Sequence, residues 1–263
     1  MKGLKKEGLP VSFNRREKIL ELLREQDTIL LKDLEKRFPD VSSMTLRRDL
    51  EFFEKIGEAV RIRGGARHIK SLGTQEDLYA LRAVKNPAAK EHIAQIAAGY
   101  VETGRSIYLD SGSTGMSFAR ALPDLNLSIV TGAPNVAMEV SKRYKPSVTM
   151  IGGVINRNTL SVSGAQSLQF IGNLNFDIAF LVASAFSPDT GFTCGNADEC
   201  ELKRAIAAKA RRTIVMVDSS KFGKSMPYTF AGLQDIDILI TDVLPEASIL
   251  ELAKEHGTAV VYE

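Results

Sequence analysis

Along the N-terminal part of the chain, apolar side chains recur at helical spacing. Ile19, Leu22 and Leu23 fall at i, i+3 and i+4 between Asn14 and Gln26, which predicts an amphipathic helix with Arg15, Arg16 and Lys18 around its apolar stripe. Leu30, Leu31, Leu34 and Phe38 repeat the pattern after Asp27 and Thr28, and Pro39 ends it, predicting a second, short helix. Ser42 is a natural N-cap for a third, in which Leu46, Leu50 and Phe53 share one face and which stops near Gly57. Two extended stretches, Ala59 to Arg63 and Ala66 to Ile69, lie either side of Gly64 and Gly65 as in a hairpin. Three helices and a hairpin predict a winged helix-turn-helix domain over residues 1–70.

Residues 71–87 have mixed polarity, contain Gly73 and close with Asn86-Pro87, which reads as a linker with some helix around Asp77 to Val84. From 88 to 263 the pattern changes. Strand-like runs (SIYL at Ser106, LSIVT at Leu127, SVTMI at Ser147, DIAFLV at Asp177, TIVMV at Thr213, DILIT at Asp237, AVVY at Ala259) alternate with amphipathic helical stretches. Such alternation predicts an α/β domain with a mainly parallel sheet. The longest apolar run, Ile178 to Ala183, is far below the roughly 20 residues of a membrane helix. The opening MKGLKKEGLP leads into no apolar stretch, so a cytoplasmic protein away from membranes is expected.

Charge sharpens the division. Residues 1–70 hold 17 Lys and Arg against 12 Asp and Glu, a net +5, whereas residues 71–263 hold 17 against 20, a net −3. The N-terminal part alone is suited to a polyanion. On its third helix Met44 and Arg48 face away from the apolar side, with Thr45 and Arg47 on the flanks. An exposed helix start with a hydroxyl and two arginines can enter a major groove, where arginine pairs with guanine. Arg61, Arg63, Arg67 and His68 on the hairpin could reach the backbone beside it. A solvated basic face on a small helical domain fits the same charges.

In the larger part, DSGSTG at Asp110–Gly115 follows a predicted strand and precedes a helix. Gly112 and Gly115 permit close backbone approach, and Ser111, Ser113 and Thr114 add hydroxyls near a helix N-terminus, which suits a phosphate. A small-residue turn that serves only packing fits as well. Other candidates follow the C-terminal ends of predicted strands: Thr131, Gly132 and Asn135, Gly152 and Gly153, and Ser219 to Gly223 with Lys221 as a point charge. Lys203 is a second candidate cation, and Asp110 and Asp177 could bond sugar hydroxyls. No GxGxxG occurs, and Asp218 stands where a Walker loop ending at Gly223–Ser225 would need its first glycine, so no cofactor is expected. Cys194 and Cys200 form no CxxC, and His68, His92 and His256 are scattered, so free thiols and no metal are expected.

The string VSSMTLRRDLEFFEKIG followed by VRIRGGAR resembles the DeoR family of bacterial transcriptional regulators, carried by Ser42, Thr45, Leu46, Arg47, Arg48, Asp49 and Leu50, then Gly64, Gly65 and Ala66. Leu46 replaces the usual Ile, and Arg63 stands where the family often has His. DSGSTG, TGAPN, GG, NFDIAFLVAS, GFT, ELKRAIAAKA and DSSKFG resemble the family's effector domain in order, although Glu199, Cys200, Glu201 and Leu202 depart from its late helix. The resemblance implies a Rossmann-like domain similar to ribose-5-phosphate isomerase, behind a winged helix-turn-helix. It implies double-stranded operator DNA as one partner and a phosphorylated sugar or related metabolite as effector, in a homo-oligomer, dimer or tetramer. The expected reader residues are Ser43, Met44, Thr45, Arg47, Arg48, Arg61, Arg63 and Arg67. The expected effector residues are Asp110, Ser111, Gly112, Ser113, Thr114, Thr131, Asn135, Gly152, Gly153, Lys203 and Lys221. The reading is thus a repressor of a sugar-metabolism operon rather than an enzyme. The alternative is a sugar-phosphate isomerase or deaminase with an appended helical domain, using Asp110 and Glu199 as acid and base.

Overall fold

In the computed structural model, which describes residues 11–26, 28–56, 58–62, 64–68 and 78–263, the first apolar stripe folds as α1 (Val11–Gln26). Then come β1 (Thr28–Leu30), α2 (Leu31–Arg37), α3 (Ser43–Lys55), β2 (Ala59–Ile62) and β3 (Gly65–His68). Ile19, Leu23, Leu34, Leu46, Leu50 and Phe53 form one core. Gly57, Arg63 and residues 69–77, which include the first part of the expected linker, lie outside the described residues. The chain divides into two units, Met1–Gly73 and Thr74–Glu263.

The head differs from the sequence expectation at one element. The chain through Leu30 is extended, and it pairs with the hairpin to give an antiparallel sheet in the order β1-β3-β2. Ile29 is therefore the buried residue of that stretch, while Leu30 and Leu31 are half-buried. The wing glycines have separate reasons. Gly64 turns at φ +83°, and a Cβ on Gly65 would lie 2.0 Å from the Ile29 carbonyl oxygen, so only glycine lets β1 and β3 meet.

Asp49 joins α1 to α3. Its side chain is buried and accepts from Arg15 Nε at 2.5 Å and Arg16 Nε at 2.8 Å, and the Arg16 guanidinium also lies over the Phe52 ring. Asp49→Asn leaves the two guanidinium groups without their counter-charge. We expect it to lower the head's stability by about 1.5–3 kcal/mol, the usual worth of hydrogen bonds to charged groups. An unchanged melting curve for the head would show that the clamp contributes nothing.

The second unit starts with α4 (Tyr79–Val84) and α5 (Pro87–Ala98), followed by β4 (Ser106–Leu109), α6 (Gly112–Ala121), β5 (Ser128–Thr131), α7 (Pro134–Val140) and β6 (Ser147–Met150). A hairpin, β7 (Val154–Asn156) and β8 (Ser161–Ser163), leads to α8 (Ala165–Ile171) and β9 (Phe176–Val182). An excursion of β10 (Ala185–Ser187) and β11 (Gly191–Cys194) comes next, then α9 (Ala197–Lys209) and β12 (Ala210–Met216). The chain closes with β13 (Tyr228–Ala231), β14 (Ile238–Ile240), α10 (Ala247–His256) and β15 (Ala259–Val261). All seven strand-like runs enter one parallel sheet, in the order β15-β14-β12-β9-β4-β5-β6. Side-chain alternation gives it two faces. Ile107, Leu109, Ile178 and Phe180 pack with Ile93 of α5, Phe118 of α6 and Val136 of α7. Tyr108, Ala179 and Leu181 pack instead with Ile171 of α8, Ile206 of α9 and Ile249 of α10.

The order has a functional consequence. β4, the first strand of the sheet, lies beside β9, the fourth, so successive connections leave the centre in opposite directions at that pair. A crevice opens at such a switch point outside the strands' C-terminal ends, the usual place for a ligand in an open α/β sheet. The loop Asp110–Gly115 leaves β4 at that point. The two-stranded hairpin, α8 and the antiparallel sheet β10-β11-β13 were not anticipated from the sequence.

Candidate functional site

Two surfaces, one on each unit, hold the predicted functional residues. In the head, α2 and α3 form the helix-turn-helix. Ser42 caps α3, its hydroxyl accepting from the Thr45 backbone N–H at 3.2 Å and lying 2.9 Å from Thr45 Oγ1. The Ser43 hydroxyl donates to Glu35 Oε1 at 2.5 Å, fixing α3 against α2. With Leu46, Asp49, Leu50 and Phe53 buried, the opposite side of α3 presents Met44, which is 62% exposed, together with exposed Arg47 and Arg48. Thr45 is half-buried between them.

On the wing, Arg61 and Arg67 are exposed and already engaged within the head. Arg61 Nη1 meets Glu51 Oε1 at 2.9 Å, and Arg67 Nε donates to Thr28 Oγ1 at 3.0 Å. His68 is buried beside Glu58, so it does not join the exposed basic face. The helix N-terminus, Arg47 and Arg48 together offer a protruding cationic edge, with the wing arginines on the same domain.

In the larger unit the loop after β4 is enclosed: Asp110, Ser111, Gly112, Ser113 and Thr114 are all buried. A Cβ on Gly115 would lie 2.4 Å from the Asp110 carbonyl oxygen, so glycine is what lets α6 begin so tightly over the strand end. Asp110 spans the switch point. Its Oδ1 accepts from the Ser111 N–H at 2.8 Å, and its Oδ2 accepts from the Val182 N–H at the end of β9, also at 2.8 Å.

Lys203 completes a closed ionic cluster. Its ammonium donates to Asp110 Oδ2 at 2.5 Å and to the Val182 carbonyl at 2.8 Å, and it lies 3.2 Å from Glu199 Oε1. Ser161 donates to Glu199 Oε2 at 3.2 Å. Burial works against the Lys203 charge, but the Asp110 and Glu199 carboxylates outweigh it and hold the ammonium protonated well above its ordinary range. Burial pushes the Asp110 carboxyl up, and Lys203 pulls it back. Three acceptors of its own chain surround Lys203, which in this arrangement holds Asp110 and Glu199 together. Asp110 is likewise occupied in bridging β4 and β9.

The other candidates separate into those near the loop and those committed to packing. Thr131 is buried, with its hydroxyl accepting from the Ala133 N–H at 3.1 Å. Gly153, at φ +151°, leaves room for Ser163 and Ser167, and Ser167 donates to the Gly152 carbonyl at 2.8 Å; these two glycines shape the junction with β8 and α8. Asp177 lies at the opposite end of the sheet, where its Oδ2 accepts from the Ser106 N–H at 2.9 Å, so it serves strand pairing rather than a ligand. Cys194 and Cys200 are buried free thiols, and burial pushes both pKa values up.

Asn135 and Lys221 have neighbours that sequence reasoning missed. The Asn135 amide faces the Tyr79 hydroxyl, and Arg82 places Nη1 3.8 Å from where a Cβ on Gly112 would begin. Both partners come from α4, inside the expected linker. Lys90 is buried and donates to the carbonyls of Arg82 and Lys85. Burial lowers its pKa to about 8; Asp218 opposes the shift, while Lys221, Arg82 and Lys85 add to it. Asn86 Nδ2 donates to Asp218 Oδ1 at 3.2 Å, tying the α4–α5 junction to the loop that carries Lys221. Arg82, Lys85 and Lys221 thus all lie within electrostatic reach of Lys90, and Arg82 also reaches the start of α6. The helical periodicity of Tyr79–Val84 was a usable signal for α4, but no sequence spacing links it to Gly112.

Comparisons with known proteins place both units. Residues 15–72 match the DeoR-like helix-turn-helix domain, and residues 85–243 match the DeoR C terminal sensor domain. "HTH-type transcriptional regulator GlpR" of Haloferax volcanii is 32% identical over 94% of this chain and 96% of its own length. "Putative aga operon transcriptional repressor" of Escherichia coli O157:H7 is 34% identical over 94% of this chain and 92% of its own length. Among solved structures, ribose 5-phosphate isomerase A of Methanocaldococcus jannaschii aligns at a TM-score of 0.40 and 21% identity, over 52% of this chain and 55% of its own. No helix among the described residues is long and apolar enough to cross a membrane. With a helix-turn-helix head, a sensor domain and relatives alike over nearly their whole length, the chain belongs to the DeoR family of transcriptional regulators.

Proposed function

We propose that this protein is a cytoplasmic repressor of a sugar-metabolism operon, a homo-oligomer whose heads read duplex operator DNA and whose sensor domains bind a phosphorylated sugar at the Asp110–Gly115 loop. The observation that carries the reading is the two-sided character of α3: its core side is sealed by Leu46, Leu50 and Phe53, while Met44, Arg47 and Arg48 project from it. Ser43, Thr45, Arg61 and Arg67 complete the reader, together with Arg63, which lies outside the described residues. The names of the relatives support a regulator, and that of the aga operon relative supports repression.

For the effector, Ser111, Gly112, Ser113 and Thr114 supply hydroxyls and helix-start N–H groups, and Lys221 supplies charge. Thr131, Asn135, Gly152 and Gly153 shape the surroundings, with Asp110 and Lys203 holding the loop in place. The closed cluster of Asp110, Lys203 and Glu199 suits a rigid binding frame better than a proton-transfer pair, so the unit is read as a sensor without catalysis. Ligand-dependent release follows from a coupling of about 1–3 kcal/mol, roughly 5- to 150-fold in DNA affinity.

The test uses a duplex selected by the protein from a random-sequence pool. A dimer meeting about eight phosphates should show log K falling against log salt with a slope near −7, at about −0.9 per phosphate. Adding glucose 6-phosphate, fructose 6-phosphate or ribose 5-phosphate in turn should weaken binding for at least one. A flat salt response would sink the DNA reading, and indifference of both DNA binding and thermal stability to every phosphorylated sugar tried would sink the effector reading.

A further inference from the structure

We propose that the sensor domain pairs with a second copy of this chain along the open edge of its parallel sheet, β6 against β6 across a two-fold axis at Thr149. This rests on the reading of the protein as a homo-oligomer, and it names the surface that builds one. β6 is hydrogen-bonded to β5 on one side and to no described strand on the other. The Ser147 N–H donates to the Leu127 carbonyl and the Ile151 N–H to the Thr131 carbonyl. By the alternation of a strand, Val148 and Met150 therefore point their N–H and C=O groups away from the sheet. The hairpin prolongs this edge. Ile151 bonds to Thr131 and Val162 of β8 to the next residue, Gly132, so β8 takes over where β6 stops, and β7 lies outside it.

A bare edge is usually blunted by charges or covered by another segment. From Ser147 to Asn156 no side chain is charged, and Tyr144, which is 98% exposed, lies open together with Met150, Val154 and Ile155. Such an apolar strip marks a protein interface, and three features fit a copy of the same strand. With the axis at Thr149, Val148 of each copy faces Met150 of the other, and the outward N–H and C=O groups of both residues are all exchanged. The same register sets Pro146 against Gly152. Pro146 has no N–H to offer, the Gly152 carbonyl is already taken by Ser167 at 2.8 Å, and a Cβ on Gly152 would meet nothing within 4 Å, which leaves room for a second backbone. Finally, antiparallel pairing lays the start of one β6 beside the end of the other. Tyr144, just before β6, then meets Val154 and Ile155, just after it, and the two-fold axis repeats the contact.

The experiment uses the full chain, with sedimentation velocity and cross-linking as readouts. The wild type should sediment as a dimer or larger species. Thr149→Cys, at an exposed position, should form covalent dimers under oxidised glutathione, because residues facing across such an axis have Cα atoms about 4.5 Å apart, within disulfide range. Two protein thiols close one interchain disulfide, and the reagent leaves as two molecules of reduced glutathione. Glu251→Cys, exposed on α10, should stay uncross-linked, and so should the wild type, whose Cys194 and Cys200 are buried. Val154→Lys should raise the dimer dissociation constant about tenfold or more by setting a charge against Tyr144 of the other copy. A wild type that sediments as a monomer overturns the homo-oligomer reading and this proposal with it. An oligomer in which Thr149→Cys cross-links no faster than Glu251→Cys overturns the axis at Thr149 and leaves the homo-oligomer reading standing. Cross-linking at Thr149 with Val154→Lys still associating like the wild type overturns the part assigned to the hairpin.

Discussion

Arg48→Ala is expected to cost about 1–3 kcal/mol per half-site in operator binding, the worth of one bidentate contact to a base, so roughly 30-fold to 10⁴-fold for a dimer reading two half-sites. The side chain is exposed on α3 opposite Leu46 and Leu50, and no part of the head's core rests on it. Thermal stability should therefore stay within about 0.5 kcal/mol of the wild type, the usual range for surface substitutions. Because the loss is in base reading, affinity for a random duplex should fall much less than affinity for the selected one. Sugar-phosphate binding should be unaffected. Fluorescence anisotropy on both duplexes at one fixed salt concentration checks this, and equal losses on the two would assign Arg48 to the phosphate backbone instead.

Lys203→Met should act in the opposite way, through folding. Removing the ammonium leaves the Asp110 carboxylate and the Glu199 carboxylate facing each other in a buried site, a loss of about 3–5 kcal/mol for one broken partner of a buried ion pair. The pH dependence carries a sign. Burial already pushes the Asp110 carboxyl up, and loss of Lys203 removes the main influence pulling it down. In the variant the folded state then holds a proton that the unfolded chain has released, so stability falls as pH rises between the unfolded and folded pKa values. The variant should be nearer the wild type at pH 5 than at pH 8. Adding Asp110→Asn should recover part of the loss at pH 8. Calorimetry at the two pH values decides it: an unchanged melting temperature combined with lost sugar-phosphate binding would return Lys203 to the ligand.

Periodicity made the strong elements legible. Leu46, Leu50 and Phe53 located α3 and its outer face, and all seven strand runs lie in the parallel sheet. β14 and β15 are only three residues long yet sit in clear apolar runs, whereas β1, β7 and β8, equally short, do not stand out from the residues around them and depend on partners brought by the fold. The loop after β4 could be read because its glycines and hydroxyls are contiguous. Lys203 looked like a surface cation on a helix; only the placement of α9 beside β9 shows that its charge is consumed by Asp110, more than ninety residues earlier. Arg82 was invisible for the same reason, since its neighbour Gly112 is brought to it by the packing of α4 on α6.

The parallel sheet also sets an order of events during synthesis. Its central pair joins Ile107 to Ile178, and β9 then needs β12, so the middle of the sensor cannot close until the ribosome has passed Met216. The head, built from local helices and a hairpin, has only short loops to close and can fold as soon as it emerges. A chain cut short inside the sensor would therefore still present Arg47 and Arg48 on a finished helix while lacking the machinery that releases them. Premature termination in this gene would tend to leave fragments that touch DNA but answer to no metabolite.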